Sequence, residues 1–224
     1  MFLWTWFRKI DDIIDGEDVL PEGYTTYSYL AQKKDLVNGN NSTVLPEDIL
    51  LIYSFKIISK CKLNLHQEVK KLFEVMEDEY NRRGKIISKK MLDCHMKKQD
   101  EVILKIIFIV FDVKIEDDSI PNYFGIFTKV DSLLDIKEDL KIKLINISLE
   151  DCEKYGIDPK DLLTRRKLRN INGLNEWYKN EAEEALKVWK KASIALSKEF
   201  LRNKKILLYL YQHLSNLDEN SFRI

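Results

Sequence analysis

Seven glycines and four prolines in 224 residues are too few for a turn-rich β architecture. They suit long helices, and the abundance of Lys, Leu, Ile and Glu agrees. Cysteine is scarce and scattered: Cys61, Cys94 and Cys152 form no CxxC pair. A disulfide framework and a zinc site are thereby excluded, and a reduced intracellular, cytoplasmic setting is expected. His66, His95 and His213 are isolated and read as packing or surface residues rather than metal ligands. Charge of one sign is also missing. Lys+Arg and Asp+Glu each number 37, so there is no basic excess to recruit nucleic acid. Long apolar runs are absent too. Val102–Val113 is the strongest, but Lys105 interrupts it and it is too short to span a bilayer. The opening MFLWTWF is not built as a signal peptide, because its positive charge follows the apolar stretch instead of preceding it.

What the chain does have is carboxylates in rows. Phe7-Arg8-Lys9-Ile10-Asp11-Asp12-Ile13-Ile14-Asp15 puts three aspartates within five residues, just behind a basic pair. On a helix Asp11 and Asp15 share a face. A second stretch, Phe127 to Asp139, spaces Asp131, Asp135 and Asp139 at i, i+4 and i+8, one row along one helix. Bringing like charges together costs energy, and solvent, a cation or a divalent metal must offset it. Carboxylate oxygens suit Mg²⁺, which keeps several waters and binds through one or two carboxylates plus substrate phosphates. In a chain that is 33% charged, the first cluster taken alone is more often a solvated helix face. Two rows on two helices can face each other and hold Mg²⁺ and a diphosphate between them.

These two stretches carry a family resemblance. FRKIDDIID resembles the first aspartate motif of the squalene/phytoene synthase family. LLDIKEDLKIKLINISLEDCEKYGID resembles the second, which runs from LRDxxED through a YLP-like segment to a short helix ending in Gly. The resemblance extends from near residue 4 to about residue 200, and is specific at the motifs and thin between them. It implies an all-α class I isoprenoid-synthase bundle around a central apolar cavity, formed by residues 1–224 as one domain. It also implies Mg²⁺-dependent prenyltransferase chemistry on an allylic prenyl diphosphate, with farnesyl or geranylgeranyl diphosphate as substrate. Carried over position by position, Asp11, Asp12 and Asp15 match metal-binding positions of the first motif, and Asp135 and Asp139 those of the second. Asp131 stands where the family commonly has Asn. Arg8 matches an arginine that contacts diphosphate or braces the aspartates. Lys129, Lys137, Lys141 and Lys143 are nearby cations for phosphate oxygens, Lys129 and Lys143 being the chosen candidates. A greasy substrate would bring the protein to a membrane surface.

In order, helices are expected over residues 2–15, from Tyr24 to about Val37, and from Pro46. A fourth is expected after an Asn64 cap, and a fifth from Ser88 to Val113. The fifth is apolar almost all round in its second half, which suits the middle of a bundle. Ser119 and Pro121 open the second acidic helix, with Gly125 inside it. Lys141–Ile147 is irregular or extended, Ser148 starts a short helix closed by Gly156, and Asp158-Pro159 starts the next. Arg165-Arg166-Lys167-Leu168-Arg169 is a basic face. Leu174–Phe200 is a long amphipathic helix and Asn203–Leu217 a last one.

Three features depart from the family pattern. The chain starts at the first aspartate helix, so it is expected to be a compact or N-terminally short form. Leu134 stands where the family has Arg before the second-motif Asp. Leu144-Ile145-Asn146-Ile147-Ser148 replaces R-x-Y-L-P and lacks its Arg, Tyr and Pro. The metal site is kept while the apparatus for joining two prenyl chains is altered. A terpene cyclase on the same fold and a non-catalytic helical assembly protein are the alternatives.

Overall fold

A computed structural model describes residues 2–40, 44–61, 65–110, 120–164 and 168–202. The structure is helical, with no strand among the described residues. Its contacts divide the chain into two compact units, Met1–Asn81 and Arg82–Ile224.

The first unit holds α1 (Phe2–Asp15), α2 (Thr26–Val37), α3 (Asp48–Lys60) and α4 (His66–Asn81). Trp6, Phe7, Ile10, Ile13 and Ile14 recur at helical spacing along α1 and are all buried, so the opposite face is left to Arg8, Asp11, Asp12 and Asp15. α1 packs on α3 and α2 on α4. Trp6 lies 6.3 Å, ring to ring, from Phe73. Thr25 and Ser28 form a reciprocal capping box that fixes the start of α2 at Thr26, two residues beyond the expected Tyr24. Burial then leaves one polar knot inside this unit. Lys33 and Asp48 are both 0% exposed, and the Lys33 ammonium donates to Asp48 Oδ1 at 2.6 Å and to Glu47 Oε1 at 2.8 Å. Asp48 also accepts from Trp6 Nε1, Gln32 Nε2 and the Leu45 amide.

The second unit holds α5 (Lys89–Val110), a 3₁₀ turn (Ile120–Tyr123), α6 (Ile126–Leu134), α7 (Ile136–Lys141) and α8 (Leu149–Tyr155). It continues with α9 (Pro159–Leu163), a 3₁₀ turn (Leu168–Asn170) and α10 (Leu174–Arg202). Ile126, Val130 and Leu133 put one face of α6 against Trp177, Tyr178, Ala185 and Trp189 of α10. Phe127 and Trp189 meet edge to face, centroids 4.9 Å apart. Ser148 caps α8 by accepting from the Asp151 amide, and Asp158 with Pro159 opens α9.

Three expectations change. The second acidic stretch is two helices rather than one, because the backbone relaxes at Asp135 (φ −96°, ψ 11°). The i→i−4 hydrogen bonds nevertheless continue through the break, from the Asp135 amide to the Asp131 carbonyl and from the Asp139 amide to the Asp135 carbonyl, each 2.9 Å. Gly125 lies at the N-terminal boundary of α6, not inside a helix; its φ is +99°, and a Cβ there would lie 3.3 Å from the Lys97 amide nitrogen. The apolar half of α5 is not buried all round: Val102, Leu104 and Phe108 enter the core, while Lys105 and Val110 are exposed. The Asn64 cap, Ser119, Arg165–Lys167 and the Asn203–Leu217 helix lie outside the described residues.

Candidate functional site

In the first unit, α1 sets Asp11, Asp12 and Asp15 on the face that its apolar residues leave open. Arg8, one turn earlier, braces two of them: Nη1 lies 3.3 Å from Asp11 Oδ2, and Nε 2.9 Å from Asp12 Oδ1. Its third contact, Nη2 to Glu17 Oε2 at 3.7 Å, is looser, and the side chain stays largely exposed. Asp11 is still reached by solvent, yet protein crowds it. That desolvation, then the charges of Asp15 and Glu79, pushes its carboxyl up to about 7, against a smaller lowering by Arg8.

In the second unit, Asp131 and Asp135 stack across the helix break. The Asp131 side chain also reaches solvent, and crowding by protein, with the charges of Asp135 and Asp100, pushes it up to about 6. Asp100 was not singled out from the sequence. It reaches from α5 and caps α6, its buried carboxylate accepting from the Gly125, Phe127 and Thr128 amides at 2.6, 2.9 and 2.9 Å and from Thr128 Oγ1 at 2.6 Å. Burial raises its pKa, and these hydrogen bonds partly offset the rise. Asp139 accepts from Asn146 Nδ2 at 2.8 Å.

The lysines go elsewhere. Lys129 is on the other side of α6 from Asp131, paired with Glu181 of α10. It lines a recess with Lys89, Ser132, Asn146, Trp177 and Glu181. Lys143 is exposed in the turn after α7, at a left-handed φ of 61°. The first unit therefore gathers Asp11, Asp12 and Asp15 on one face of α1 with Arg8, and the second sets the charge of Asp135 against Asp131, while Asp139 is held by Asn146. Lys129 is not brought to the acidic row.

Among the described residues, no three His, Cys, Asp or Glu side chains converge as a ready-made metal site. The pairs are nonetheless what Mg²⁺ uses, since it takes one or two carboxylates and completes its shell with water and phosphate. Solvent-accessible carboxyls, with the charge of Asp15 raising Asp11 and that of Asp135 raising Asp131, fit such a cation, which would relieve the repulsion.

No protein-family model matches the chain, and no curated protein matches it. Among solved structures, squalene synthase HpnC from Alicyclobacillus acidocaldarius matches with a TM-score of 0.66. The match covers 99% of this chain and 82% of that one, at 16% identity. The all-α fold of a class I isoprenoid synthase is therefore the fold of this chain, and the resemblance carried by the two aspartate motifs is met at the level of the fold. Among the described residues no helix is long and apolar enough to cross a membrane.

Proposed function

We propose that the chain is a Mg²⁺-dependent prenyltransferase of the squalene/phytoene synthase type, its two units making one catalytic domain. The observation that carries this reading is the pair of aspartate stacks, Asp11 with Asp15 and Asp131 with Asp135. Each stack leaves carboxylates within reach of solvent, and in each one carboxyl, Asp11 or Asp131, is pushed up by protein crowding and its neighbour's charge, on a squalene-synthase-like fold. A scaffold has no physical need for two such stacks. In this reading Asp11, Asp12 and Asp15 of the first unit and Asp131, Asp135 and Asp139 of the second are the metal-binding residues. Bound Mg²⁺ supplies Lewis-acid assistance to departure of the diphosphate. The allylic C–O bond breaks with its electron pair leaving on the diphosphate oxygen. Arg8 keeps Asp11 and Asp12 oriented and offers its exposed edge to phosphate. Lys143 is a second, exposed cation, whereas Lys129 must leave Glu181 to take part. In this reading the chemistry requires an apolar lining to exclude the water that would quench the allylic cation. The substrate is farnesyl or geranylgeranyl diphosphate, met in the cytoplasm or at a membrane surface.

A second reading, cyclisation of one diphosphate on the same fold, is favoured by Leu134 and by Leu144–Ser148, where the residues of the coupling enzymes' pattern are missing. Diphosphate release from the two substrates tests both readings. It is measured with Mg²⁺ and with EDTA, for the parent and for Asp11→Ala and Asp135→Ala. Release that requires Mg²⁺ and disappears in both variants supports ionisation chemistry, and product extraction then separates coupling from cyclisation. A folded protein that neither releases diphosphate nor binds a prenyl diphosphate analogue would leave the assembly-protein alternative standing.

A further inference from the structure

The segment Leu144–Ser148 is where the chain departs most from the pattern it resembles, and its structure is not that of a relaxed loop. After α7 the backbone turns through Lys143 at φ 61°, and the Leu144 amide donates back to the Asp139 carbonyl at 2.8 Å. The Lys143 carbonyl accepts from the Gly84 amide at 2.7 Å, and the Leu149 amide donates to the Ile87 carbonyl at 3.0 Å. The start of the second unit thus runs along this segment and holds it on both sides of Asn146.

Arg82 sits at that start with its side chain buried. Nη1 donates to the Ile145 carbonyl at 3.1 Å, and Nη2 donates to Asn146 Oδ1 at 2.6 Å. Asn146 Nδ2 donates in turn to Asp139 Oδ2 at 2.8 Å. The direction of this chain is fixed by chemistry. A guanidinium has only donors, so it must meet the oxygen of the Asn146 amide. The NH₂ group is then the end left to face Asp139, and it finds a carboxylate oxygen. Without Arg82 the amide could turn over and set its oxygen against the carboxylate.

We infer that Arg82 and Asn146 are positioning residues for Asp139, with Arg82 supplying from 64 residues upstream the cation that Leu144–Ser148 lacks. One Asp139 oxygen is pinned by an amide that is itself polarised by a permanent charge, and this orients the carboxylate for a metal ion. Groups that orient metal-ligating carboxylates typically change metal affinity about 10–100-fold when removed. The inference rests on the proposed metal-binding role of the second acidic row.

Mn²⁺ uptake, followed by electron paramagnetic resonance with inorganic pyrophosphate present, tests it without any turnover. The variants are Arg82→Met, Asn146→Leu, the two combined, and Ser148→Ala, with the thermal midpoint measured for each. Ser148 anchors the same segment through Asp151 and not through Asp139, so Ser148→Ala reports what loosening alone does. Arg82→Met and Asn146→Leu are each expected to weaken Mn²⁺ binding about 10-fold or more. The double variant is expected to be no weaker than the worse single one, and Ser148→Ala to stay within about twofold of the parent. Affinity unchanged in Asn146→Leu, or lost equally in Ser148→Ala, overturns the positioning role while leaving the metal reading intact. A parent protein that takes up no Mn²⁺ with pyrophosphate overturns the metal reading itself, and this role with it.

Discussion

Lys33 Nζ and Asp48 Oδ1 lie 2.6 Å apart, both fully buried, joining α2 to the first turn of α3. Taking two charges out of water is expensive, and the pair persists because every neighbour contributes. Glu47 shares the ammonium, while Trp6, Gln32 and the Leu45 amide all donate to Asp48. Removing one partner strands the other. Lys33→Met should cost about 3–5 kcal/mol in urea unfolding. Adding Asp48→Asn should recover part of the loss, because a neutral amide oxygen still accepts from its neighbours. A Lys33→Met protein within about 1 kcal/mol of the parent would show that the pair stabilises little.

The carboxyl of Asp11, pushed up to about 7, gives a pH dependence whose sign is definite. In the unfolded chain an aspartate loses its proton near 3.8; in the fold Asp11 keeps it to about 7. Between those values the native state binds more protons than the unfolded state. This group's contribution to stability therefore falls as pH rises through that window and levels off above it. Asp15→Asn removes one of the charges responsible, so the Asp11 titration should move down and the fall in stability should shrink. Carboxyl ¹³C NMR of the metal-free protein follows the residue directly. An Asp11 resonance that titrates near 4 in the parent, unmoved by Asp15→Asn, would remove this electrostatic argument for a cation site.

Asp100 couples fold to site. Asp100→Ala leaves three amides and the Thr128 hydroxyl at the start of α6 without their acceptor. The expected loss is about 2–3 kcal/mol of stability, concentrated in the second unit. Asp100→Asn keeps part of the cap and removes the charge, so the Asp131 carboxyl should titrate below its parent value of about 6. If Asp131 titrates unchanged in Asp100→Asn, the two carboxylates are not in electrostatic contact.

What was legible in the sequence was periodic or local. The helix over residues 2–15 and its buried Trp6 and Phe7 follow from spacing, and the buried stripe leaves the open face to Asp11 and Asp15; Trp4, also read as an apolar contact, is instead exposed. Ser148, Asp158 and Pro159 mark helix starts by chemistry that acts within three residues. The Asp131-to-Asp139 row survives as spaced, since the helical hydrogen bonds run on through the break at Asp135. Long-range partners were not legible. Asp100 lies 25 residues from the amide it caps, Arg82 lies 64 from Asn146, and Glu181 claims Lys129 from another helix. No local pattern encodes such distances. An aspartate in the increasingly apolar α5 was the one available hint of a buried cap. Gly125, read as a costly residue inside a helix, marks a close backbone approach that only the fold reveals.

Gly173 marks a closer approach still, just ahead of α10. Its φ is +72°, and a Cβ built there would stand 1.9 Å from the Tyr155 carbonyl oxygen and 2.9 Å from its carbon. Both atoms are backbone, so no side chain can swing aside. Gly125→Ala meets the Lys97 backbone only at 3.3 Å and carries mainly the cost of a positive φ, about 1–2 kcal/mol. Gly173→Ala carries that cost plus the displacement of a backbone segment, for a total of about 2–4 kcal/mol. The damage should also be local. The Gly173 carbonyl accepts from the Trp177 amide at 3.0 Å in the first turn of α10, and the Trp177 ring is buried beside the recess that holds Glu181 and Lys129. Shifting Gly173 should therefore loosen the packing of Trp177 and change its fluorescence in Gly173→Ala but not in Gly125→Ala. Equal stability losses for the two variants, with unchanged tryptophan emission in both, would mean that the backbone at Gly173 yields without disturbing the start of α10.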